Sequence, residues 1–289
     1  MKQAFITKNF GTDRLKTVAT ANEIIENYQA QGYRLTLRQL YYQFVSKDLI
    51  PNSERSYKNL GTAINEGRLA GLIDWDAIED RVRVPKRSSE WQDIESLVSS
   101  ALWAYRLPRW KGQDNYVELW VEKDALAGVL QPLATEFHVT LMVNRGYSSQ
   151  SAMYESANRF KEHEDASCHL LYLGDHDPSG EDMVRDIADR LEMFGASVKV
   201  QKLALTMAQV EQYDPPPNPA KTTDSRANKY VEKHGDSSWE VDALPPEVLA
   251  ALIREAINEL LDRDKMDEVI VREGNDKKAL EAAARRINK

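Results

Sequence analysis

The chain has 289 residues, of which 42% are hydrophobic, a length and composition that suit about two domains, each with its own core. Its single cysteine, Cys168, excludes an internal disulfide and a cysteine-rich zinc site. The sequence contains no apolar run of membrane-spanning length, and its first residues lack the apolar core of a signal peptide. We therefore expect a cytoplasmic protein with no membrane partner.

The formal net charge of −8 is unevenly divided along the chain. Residues 1–112 carry 17 Lys and Arg against 13 Asp and Glu, whereas residues 113–289 carry 21 against 33. The basic excess is concentrated at Arg81, Arg83, Lys86, Arg87, Arg106, Arg109 and Lys111. A run of charges is often only a solvated surface, but such a cluster can also bind DNA phosphates. We expect these residues to contact double-stranded DNA.

The first part of the chain is predicted to be helical over residues 13–31, 37–47 and 57–69. Residues 72–84 read as a compact extended segment, so the pattern is consistent with a winged helix, although periodicity does not define the wing. Residues 91–105 are predicted to form a connecting helix. A domain boundary is therefore expected near residue 110.

The second predicted helix carries two adjacent tyrosines behind a plausible N-cap, Thr36. Its buried stripe is predicted to consist of Leu37, Leu40, Tyr41 and Phe44. Tyr41 belongs to that stripe, whereas Tyr42 is rotated by about 100° and shares a face with Arg38. A guanidinium can stabilise a phenolate or hold a phosphate, which makes Tyr42 a candidate nucleophile and Arg38 its partner. On the residues alone, two aromatic core side chains are the simpler interpretation.

Apolar segments and helical segments alternate in the second part of the chain. Strands are predicted at residues 116–121, 139–143, 168–173 and 197–203, with a helix between each pair. This alternation predicts an α/β fold with a four-stranded parallel sheet that is covered on both faces. Ligands of such sheets bind beyond the carboxyl ends of the strands.

Acidic residues follow the first and third of these strands. Glu122 comes directly after the first strand, and Asp175 and Asp177 come after the third. Side chains two apart in an extended backbone point the same way, so the two aspartates should converge while His176 points elsewhere. Asp175 and Asp177 alone could be an acidic turn that caps the next helix. Acids on two strands favour instead a Mg²⁺ site for phosphoryl chemistry.

These motifs carry a family resemblance. A lone Glu after the first strand and an Asp-x-Asp-Pro-x-Gly after the third, here Glu122 and residues 175–180, resemble the Toprim domain of the topoisomerase VI A subunit and of its relative, the meiotic double-strand-break transesterase. Those proteins carry a winged-helix domain with a nucleophilic tyrosine in an Arg-x-x-Tyr-Tyr context, which residues 38–42 match. The chain is shorter than full A subunits and resembles the compact, free-standing versions in bacteria and mobile elements.

The resemblance implies a winged-helix domain at residues 1–110 and a Toprim domain with a C-terminal helical extension at residues 111–289. It implies a Mg²⁺-dependent, DNA-cleaving transesterase that acts as a homodimer, with Mg²⁺ held by Glu122, Asp175 and Asp177. Each Tyr42 would form a 5′-phosphotyrosyl link, the tyrosine of one protomer would meet the metal of the other, and Arg38 would orient the phosphate. The sequence has no ATP-binding motif, so ATP-gated strand passage would require a separate ATPase subunit.

Two other functions fit the same residues. In a hydrolytic Toprim nuclease, metal-bound water attacks the DNA and Tyr42 only packs. In a non-catalytic DNA-binding module the acids are vestigial, an interpretation that the intact set of three acids disfavours.

The last part of the chain contributes two further expectations. Residues 239–244 resemble a Glu-x-Asp-Ala-Leu segment of the family, in which Glu240 and Asp242 either assist the metal site or serve a cap or an interface. The highly charged residues 263–289 are predicted to form a loosely packed tail helix.

Overall fold

A computed structural model describes residues 1–78, 88–219 and 227–287 of the chain. The N-terminal part contains the helices α1 (Thr12–Ala30), α2 (Leu37–Ser46), α3 (Glu54–Leu69) and α4 (Ile94–Ala104). The central part consists of β1 (Asn115–Val121), α5 (Ala127–Phe137), β2 (Thr140–Val143), α6 (Gln150–Lys161), β3 (Ser167–Leu173), α7 (Pro178–Met193) and β4 (Val198–Ala204). The remaining elements are α8 (Met207–Tyr213), β5 (Asn218–Pro219), α9 (Ala227–His234), β6 (Ser237–Ser238), α10 (Pro246–Leu260) and α11 (Arg263–Ile287).

The central strands form the predicted four-stranded sheet, in the order β2-β1-β3-β4, and every neighbouring pair is parallel. All residues of β1 after Asn115 are buried. Since successive strand residues face opposite sides, this continuous burial means that helices cover both faces of the sheet. The α/β fold with a parallel sheet is thus confirmed.

Two hydrophobic clusters form the interior. One is built by α1, α2, α3 and the residues up to Ile78, and it also takes in Ala243 from far along the chain. The other surrounds the sheet and begins at Trp110. Apart from Ala243, the first cluster lies before the predicted boundary near residue 110, and the second begins there. The division into domains remains a prediction.

Helix α2 begins as expected, because the Thr36 hydroxyl accepts a hydrogen bond from the Gln39 backbone N–H and Gln39 Oε1 accepts one from the Thr36 backbone N–H. The predicted single buried stripe is wrong. Tyr42 and Val45, which lie off that stripe, are buried as well. The cause is a second contact, because α2 packs on the 3₁₀ turn Val241–Ala243 in addition to α1 and α3.

The C-terminal helix α11 is packed more firmly than predicted. Met266 belongs to the core around the sheet, and the Glu273 carboxylate is buried against the segment that follows α4. Glu273 accepts hydrogen bonds from the Leu107 backbone N–H and from the Arg109 guanidinium. A buried, multiply paired carboxylate fixes the helix in place, so α11 is not a loose tail over this stretch.

The same contacts involve two residues of the predicted DNA-binding surface. Arg106 and Arg109 both pair with Glu273, a carboxylate that Lys277 also contacts. One carboxylate does not neutralise these cations, and their contact with DNA stays a prediction. Arg81, Arg83, Lys86 and Arg87, and the predicted extended segment from residue 79 onward, lie outside the described residues. None of the helices within the described ranges combines the length and apolar composition that a membrane span needs.

Candidate active site

Two of the predicted metal ligands meet at the carboxyl edge of the sheet. The neighbouring strands β1 and β3 end side by side, and the Glu122 backbone N–H donates to the Leu173 carbonyl at 2.8 Å. The Asp175 backbone N–H then donates to Glu122 Oε2 at 3.0 Å. The parallel pairing of the two strands thus brings together Glu122 and Asp175, which are 53 residues apart.

Asp177 lies at the start of α7, where it is the N-cap residue. Its Oδ1 accepts hydrogen bonds from the Gly180 backbone N–H at 2.7 Å and from the Ser179 hydroxyl at 2.9 Å. The turn is tight, because a Cβ at Gly180 would lie 2.2 Å from the Asp175 carbonyl oxygen, so only glycine fits. Asp177 therefore does serve as a cap, and Oδ1 is the oxygen that does so.

All three acids act on one buried side chain, Tyr172 of β3. Burial raises the pKa of Tyr172, and the negative charges of Glu122, Asp175 and Asp177 raise it further. Three carboxylates shift the pKa of the same phenol only when all three lie near it. The sequence prediction that these acids gather at one edge of the sheet agrees with this geometry.

A later segment of the chain completes the edge. The backbones of His176 and Trp239 exchange two hydrogen bonds of 2.8 and 2.9 Å as an antiparallel bridge. This bridge brings the 3₁₀ turn Val241–Ala243 next to β3, where the Val241 backbone N–H donates to Asp175 Oδ1 at 2.9 Å. The His176 ring points away from the acids and bonds the Tyr230 hydroxyl at 2.7 Å, as its alternation with the aspartates predicted.

The ammonium group of Lys123 lies between three carboxylates. Its Nζ is 2.9 Å from Asp175 Oδ1, 2.8 Å from Glu240 Oε2 and 2.9 Å from Asp242 Oδ1. Although burial disfavours a charged lysine, the charges of Asp242, Asp175 and Glu240 raise the pKa of Lys123. Lys123 is thus a fixed cation that joins the sheet edge to the later segment.

The predicted nucleophile and its arginine join the same network from α2. Arg38 Nη2 lies 2.6 Å from Glu240 Oε2, and Arg38 Nε lies 3.3 Å from Asp242 Oδ2. The guanidinium carbon lies 5.8 Å from the centre of the Tyr42 ring, so the two share a face of the helix as predicted. Glu240 and Asp242 lie close enough to Tyr42 for their charges to raise the pKa of its phenol. A continuous path of ion pairs runs from Arg38, which lies beside the Tyr42 ring, through Glu240 and Lys123 to Asp175.

We use the name edge cluster for Arg38, Glu122, Lys123, Asp175, Asp177, Glu240 and Asp242. Burial raises the pKa of Asp175 to about 7, assisted by Glu122 and Asp242 and opposed by Lys123. Burial also raises the pKa of Glu240, but Lys123, Tyr42 and Arg38 together lower it to about 2.

Tyr42 is held in its protonated form. Its side chain is 4% exposed, and burial raises its pKa well above the ordinary value of a phenol. The charges of Glu240 and Asp242 act in the same direction, whereas Arg38 lowers the pKa. The guanidinium expected to activate the phenol is itself paired with two carboxylates.

Tyr41 makes structural contacts instead. Its hydroxyl lies 2.9 Å from Asn52 Oδ1 and accepts a hydrogen bond of 2.8 Å from the Ser53 backbone N–H. These contacts tie α2 to the start of α3. The two adjacent tyrosines therefore have different surroundings: Tyr41 contacts the polar residues before α3, and Tyr42 faces the acidic residues Glu240 and Asp242.

The donor set of the edge cluster suits a hard cation. Five carboxylates accompany two cations, Lys123 and Arg38, which leaves an excess of negative charge. Glu122, Asp175 and Asp177 each use one oxygen in the contacts above, and their other oxygens are not needed for them. Within the described ranges, no group of three or more Asp, Glu, His or Cys side chains is placed so that together they could hold a metal ion. Mg²⁺ needs no such cage, since one or two carboxylates with water and substrate phosphate satisfy it.

Sequence reasoning missed Lys123 and left Glu240 and Asp242 outside the predicted site. Lys123 directly follows Glu122, but a lysine beside an acid is unremarkable in a sequence. Its partners Glu240 and Asp242 are 117 and 119 residues away, so no local pattern connects them. The repeated Asp-x-Asp and Glu-x-Asp spacing was the one available signal.

Comparisons with models of protein families and with curated proteins find no match to this chain. The function of the edge cluster must therefore be inferred from its own chemistry.

Proposed function

We propose that the protein is a Mg²⁺-dependent, DNA-cleaving transesterase of the topoisomerase VI A-subunit type, with Tyr42 as nucleophile. The observation that carries the proposal is the position of Tyr42 beside Arg38, from which a continuous path of ion pairs runs through Glu240 and Lys123 to Asp175. A tyrosine that served only to pack α2 would have no need of a cluster of ionised groups at the end of a parallel sheet. Ionisable groups whose pKa values are strongly shifted by neighbouring charges are typical of catalytic sites.

The proposal includes the finer assignments that the family resemblance implies, with one exception: it joins Tyr42 to the metal ligands of its own protomer, where the resemblance implies those of the partner. The sheet with its acidic edge corresponds to a Toprim domain, and α1, α2 and α3 correspond to the helices of a winged-helix domain. Double-stranded DNA is the substrate, a homodimer cuts both strands, and a separate ATPase subunit would be needed for strand passage. The assignment of a Toprim domain is supported by the parallel direction of the strands and by the acids at their carboxyl ends.

The observed contacts correspond to a resting state of such an enzyme. Glu240, with a pKa of about 2, is too weak a base to take a proton from the phenol of Tyr42. Binding of a DNA phosphate by Arg38 would release Glu240 from the guanidinium, because phosphate offers Arg38 the same bidentate contact. Glu240 then becomes more basic, and the Tyr42 hydroxyl is freed towards the phosphate.

The reaction then exchanges one phosphoester for another. The proton of Tyr42 passes to Glu240, the phenolate oxygen forms a bond to phosphorus, and the bond from phosphorus to the 3′ oxygen breaks. That oxygen takes up a proton from water, to which Glu240 returns the proton it took from Tyr42, and it leaves as a 3′ hydroxyl while the protein keeps the 5′ phosphate. Glu122, Asp175 and Asp177 would hold Mg²⁺, which supplies positive charge for the oxygens of the phosphate.

One observation favours the hydrolytic nuclease as a second candidate. Tyr42 is almost fully buried and its pKa is raised, both of which suit a packing residue. In that case the carboxylates at the sheet edge would still hold Mg²⁺, and water would replace the phenol as the nucleophile.

Cleavage of supercoiled plasmid in the presence of Mg²⁺, stopped with denaturant, separates these candidates. A transesterase leaves protein attached to the 5′ ends, so protease treatment should change the mobility of the DNA. Tyr42→Phe should abolish both cleavage and attachment, because no other hydroxyl replaces the nucleophile. Cleavage by Tyr42→Phe at the wild-type rate, with free ends, would establish water as the nucleophile.

Tyr41→Phe is the matched control. It removes one hydroxyl from the same helix, together with the contacts to Asn52 and Ser53. We expect it to lower stability by about 1 kcal/mol and to leave the covalent product intact. Loss of cleavage in Tyr41→Phe alone would reverse the assignment of the two tyrosines.

A further inference from the structure

A cavity of about 270 Å³ opens beside Tyr42. It is lined by Arg38, Tyr41, Tyr42, Asn52, Ser53, Glu54, Tyr57 and Asn218. Three tyrosines and two asparagines thus surround a space next to a guanidinium. The volume is below the ~300–1,000 Å³ of pockets for drug-sized ligands, so it suits a single planar ring system.

The aromatic wall is rigid. The rings of Tyr41 and Tyr57 meet edge to face with centroids 5.3 Å apart, and those of Tyr41 and Tyr42 meet with centroids 5.2 Å apart. The Tyr41 hydroxyl is fixed by Asn52 and Ser53. A preformed aromatic surface of this kind binds a flat ring at a low entropic cost.

The second wall of the cavity contains Asn52 and Asn218, which are hydrogen-bonded to each other. Asn52 Nδ2 lies 3.3 Å from the Pro217 carbonyl oxygen, which can only accept, so the orientation of the Asn52 amide is defined. The same Nδ2 donates to Asn218 Oδ1 at 2.7 Å. This contact leaves Asn218 Nδ2 buried and without a hydrogen-bond partner among the described residues.

The aromatic rings and the guanidinium together suit a ligand that joins a flat ring to a phosphate. Nucleobases have such a π face, and in DNA they are attached to phosphates that Arg38 could hold. We propose that this cavity is a nucleobase-binding subsite that takes an unstacked DNA base next to the phosphate attacked by Tyr42. The ring of Tyr57 stacks on the base, and Arg38 holds the phosphate. This inference rests on the proposed function, because it names how that site would hold DNA.

Mononucleotide binding tests the subsite without any cleavage step. Saturation-transfer NMR would measure the affinity of the four deoxynucleoside 5′-monophosphates, with 2′-deoxyribose 5-phosphate as the probe that lacks a base. Stacking on one aromatic ring is worth ~1–3 kcal/mol per base, which corresponds to roughly 5- to 150-fold in affinity. At least one nucleotide should therefore bind more tightly than the sugar phosphate by a factor in that range. Equal affinities would overturn the proposal.

Variants assign the effect to the cavity. Tyr57→Ala should remove the advantage of the nucleotide over the sugar phosphate, and Tyr57→Phe should retain it because the ring remains. Tyr154→Ala is the matched control, because Tyr154 is an exposed tyrosine on α6 and does not line the cavity. An advantage that survives in Tyr57→Ala would refute the stacking role.

The outcomes of the two proposals can be told apart. A protein that binds nucleotides through Tyr57 but never cuts DNA would retain the subsite and lose the proposed transesterase. A protein that forms the covalent product but shows no preference for the nucleotide would retain the transesterase and lose the subsite.

Discussion

Two buried carboxylate sites on and just after β1 have opposite characters. Glu118, in the middle of the strand, is fully buried and accepts hydrogen bonds from the Tyr116 hydroxyl, from Trp120 Nε1 at 2.8 Å and from two nitrogens of Arg159 at 3.0 Å each. Both of its oxygens are occupied by donors of the protein itself. Four residues later, Glu122 belongs to the edge cluster, where carboxylates outnumber cations.

The two sites differ in what is left for a ligand to do. A carboxylate saturated by its own protein gains nothing from a metal ion or a phosphate, so Glu118 contributes to the fold. In the edge cluster, the buried Asp242 Oδ2 has an ion pair with Arg38 Nε at 3.3 Å but no hydrogen bond from the described residues, and burial raises the pKa of Asp175 to about 7. Such a cluster has an excess of negative charge that a bound cation would compensate.

The largest expected effect comes from the metal ligands. Asp177→Asn removes a charge but keeps a good N-cap for α7, so stability should change little. Mg²⁺-dependent DNA cleavage should fall by about 10²–10³-fold or more, because the site loses one of its hard oxygen ligands. Asp175→Asn should have a similar effect on cleavage, and calorimetry should show weaker Mg²⁺ binding in both variants.

Asp165→Asn provides the control for this measurement, since it removes the same charge from an exposed position before β3. It should cleave DNA like the wild type. Wild-type cleavage by both Asp175→Asn and Asp177→Asn would instead remove Mg²⁺ from the proposed reaction and reduce the edge cluster to a structural feature like Glu118.

Glu118→Gln should produce the opposite pattern, a loss of stability with the chemistry retained. The substitution leaves the Arg159 guanidinium without its bidentate partner inside the core, which should lower the free energy of unfolding by about 2–4 kcal/mol. Urea titration would measure this loss. Mg²⁺ affinity of the folded protein should stay within a factor of about two, because Glu118 makes no contact with the edge cluster. A large loss of Mg²⁺ affinity would show that the two sites are not separate.

The contrast also explains which features the sequence could predict. Local periodicity predicts the strands, and the geometry of parallel sheets predicts where Glu122 and Asp175 lie. The structure has the parallel strands and both residues where expected. The role of Lys123 and the burial of Tyr42 depend on contacts between distant segments, in particular the bridge between His176 and Trp239. No local pattern encodes such a contact.

The docking of α11 was unpredictable for the same reason. A helix rich in charged residues looks solvated when its residues are considered alone. The buried Glu273 and its partners Arg106 and Arg109 become visible only when residues separated by more than 160 positions are brought together.

Lys123→Met tests whether the edge cluster depends on an internal cation. The methionine keeps most of the side-chain length but leaves Asp175, Glu240 and Asp242 without their shared ammonium group. The free energy of unfolding should fall by about 1–3 kcal/mol without Mg²⁺, because like charges then face one another. Mg²⁺ should restore more stability to this variant than to the wild type, as thermal unfolding with and without the ion would show. Lys123→Arg, which keeps a cation, should respond like the wild type, and an equal Mg²⁺ response in all three proteins would contradict the idea of an unbalanced cluster.

The smallest effect is expected at Glu273, a carboxylate on α11 that resembles Glu118 in being satisfied by the protein itself. Although burial raises its pKa, Lys277, the Leu107 N–H and Arg109 lower it to about 2. A carboxylate with a lowered folded-state pKa stabilises the protein above its unfolded-state pKa, and this contribution is lost as the pH falls from about 4.5 towards 2. Because its cationic partners are partly exposed to solvent, we expect a contribution of about 1–2 kcal/mol. Glu273→Gln should therefore lower stability near pH 7 by about this amount, and the difference from the wild type should shrink below about pH 4 as the wild-type carboxylate takes up a proton. Urea titrations of both proteins between pH 7 and pH 3 would measure the difference, and a gap that stays constant across this range would mean that Glu273 packs α11 through shape and not through charge.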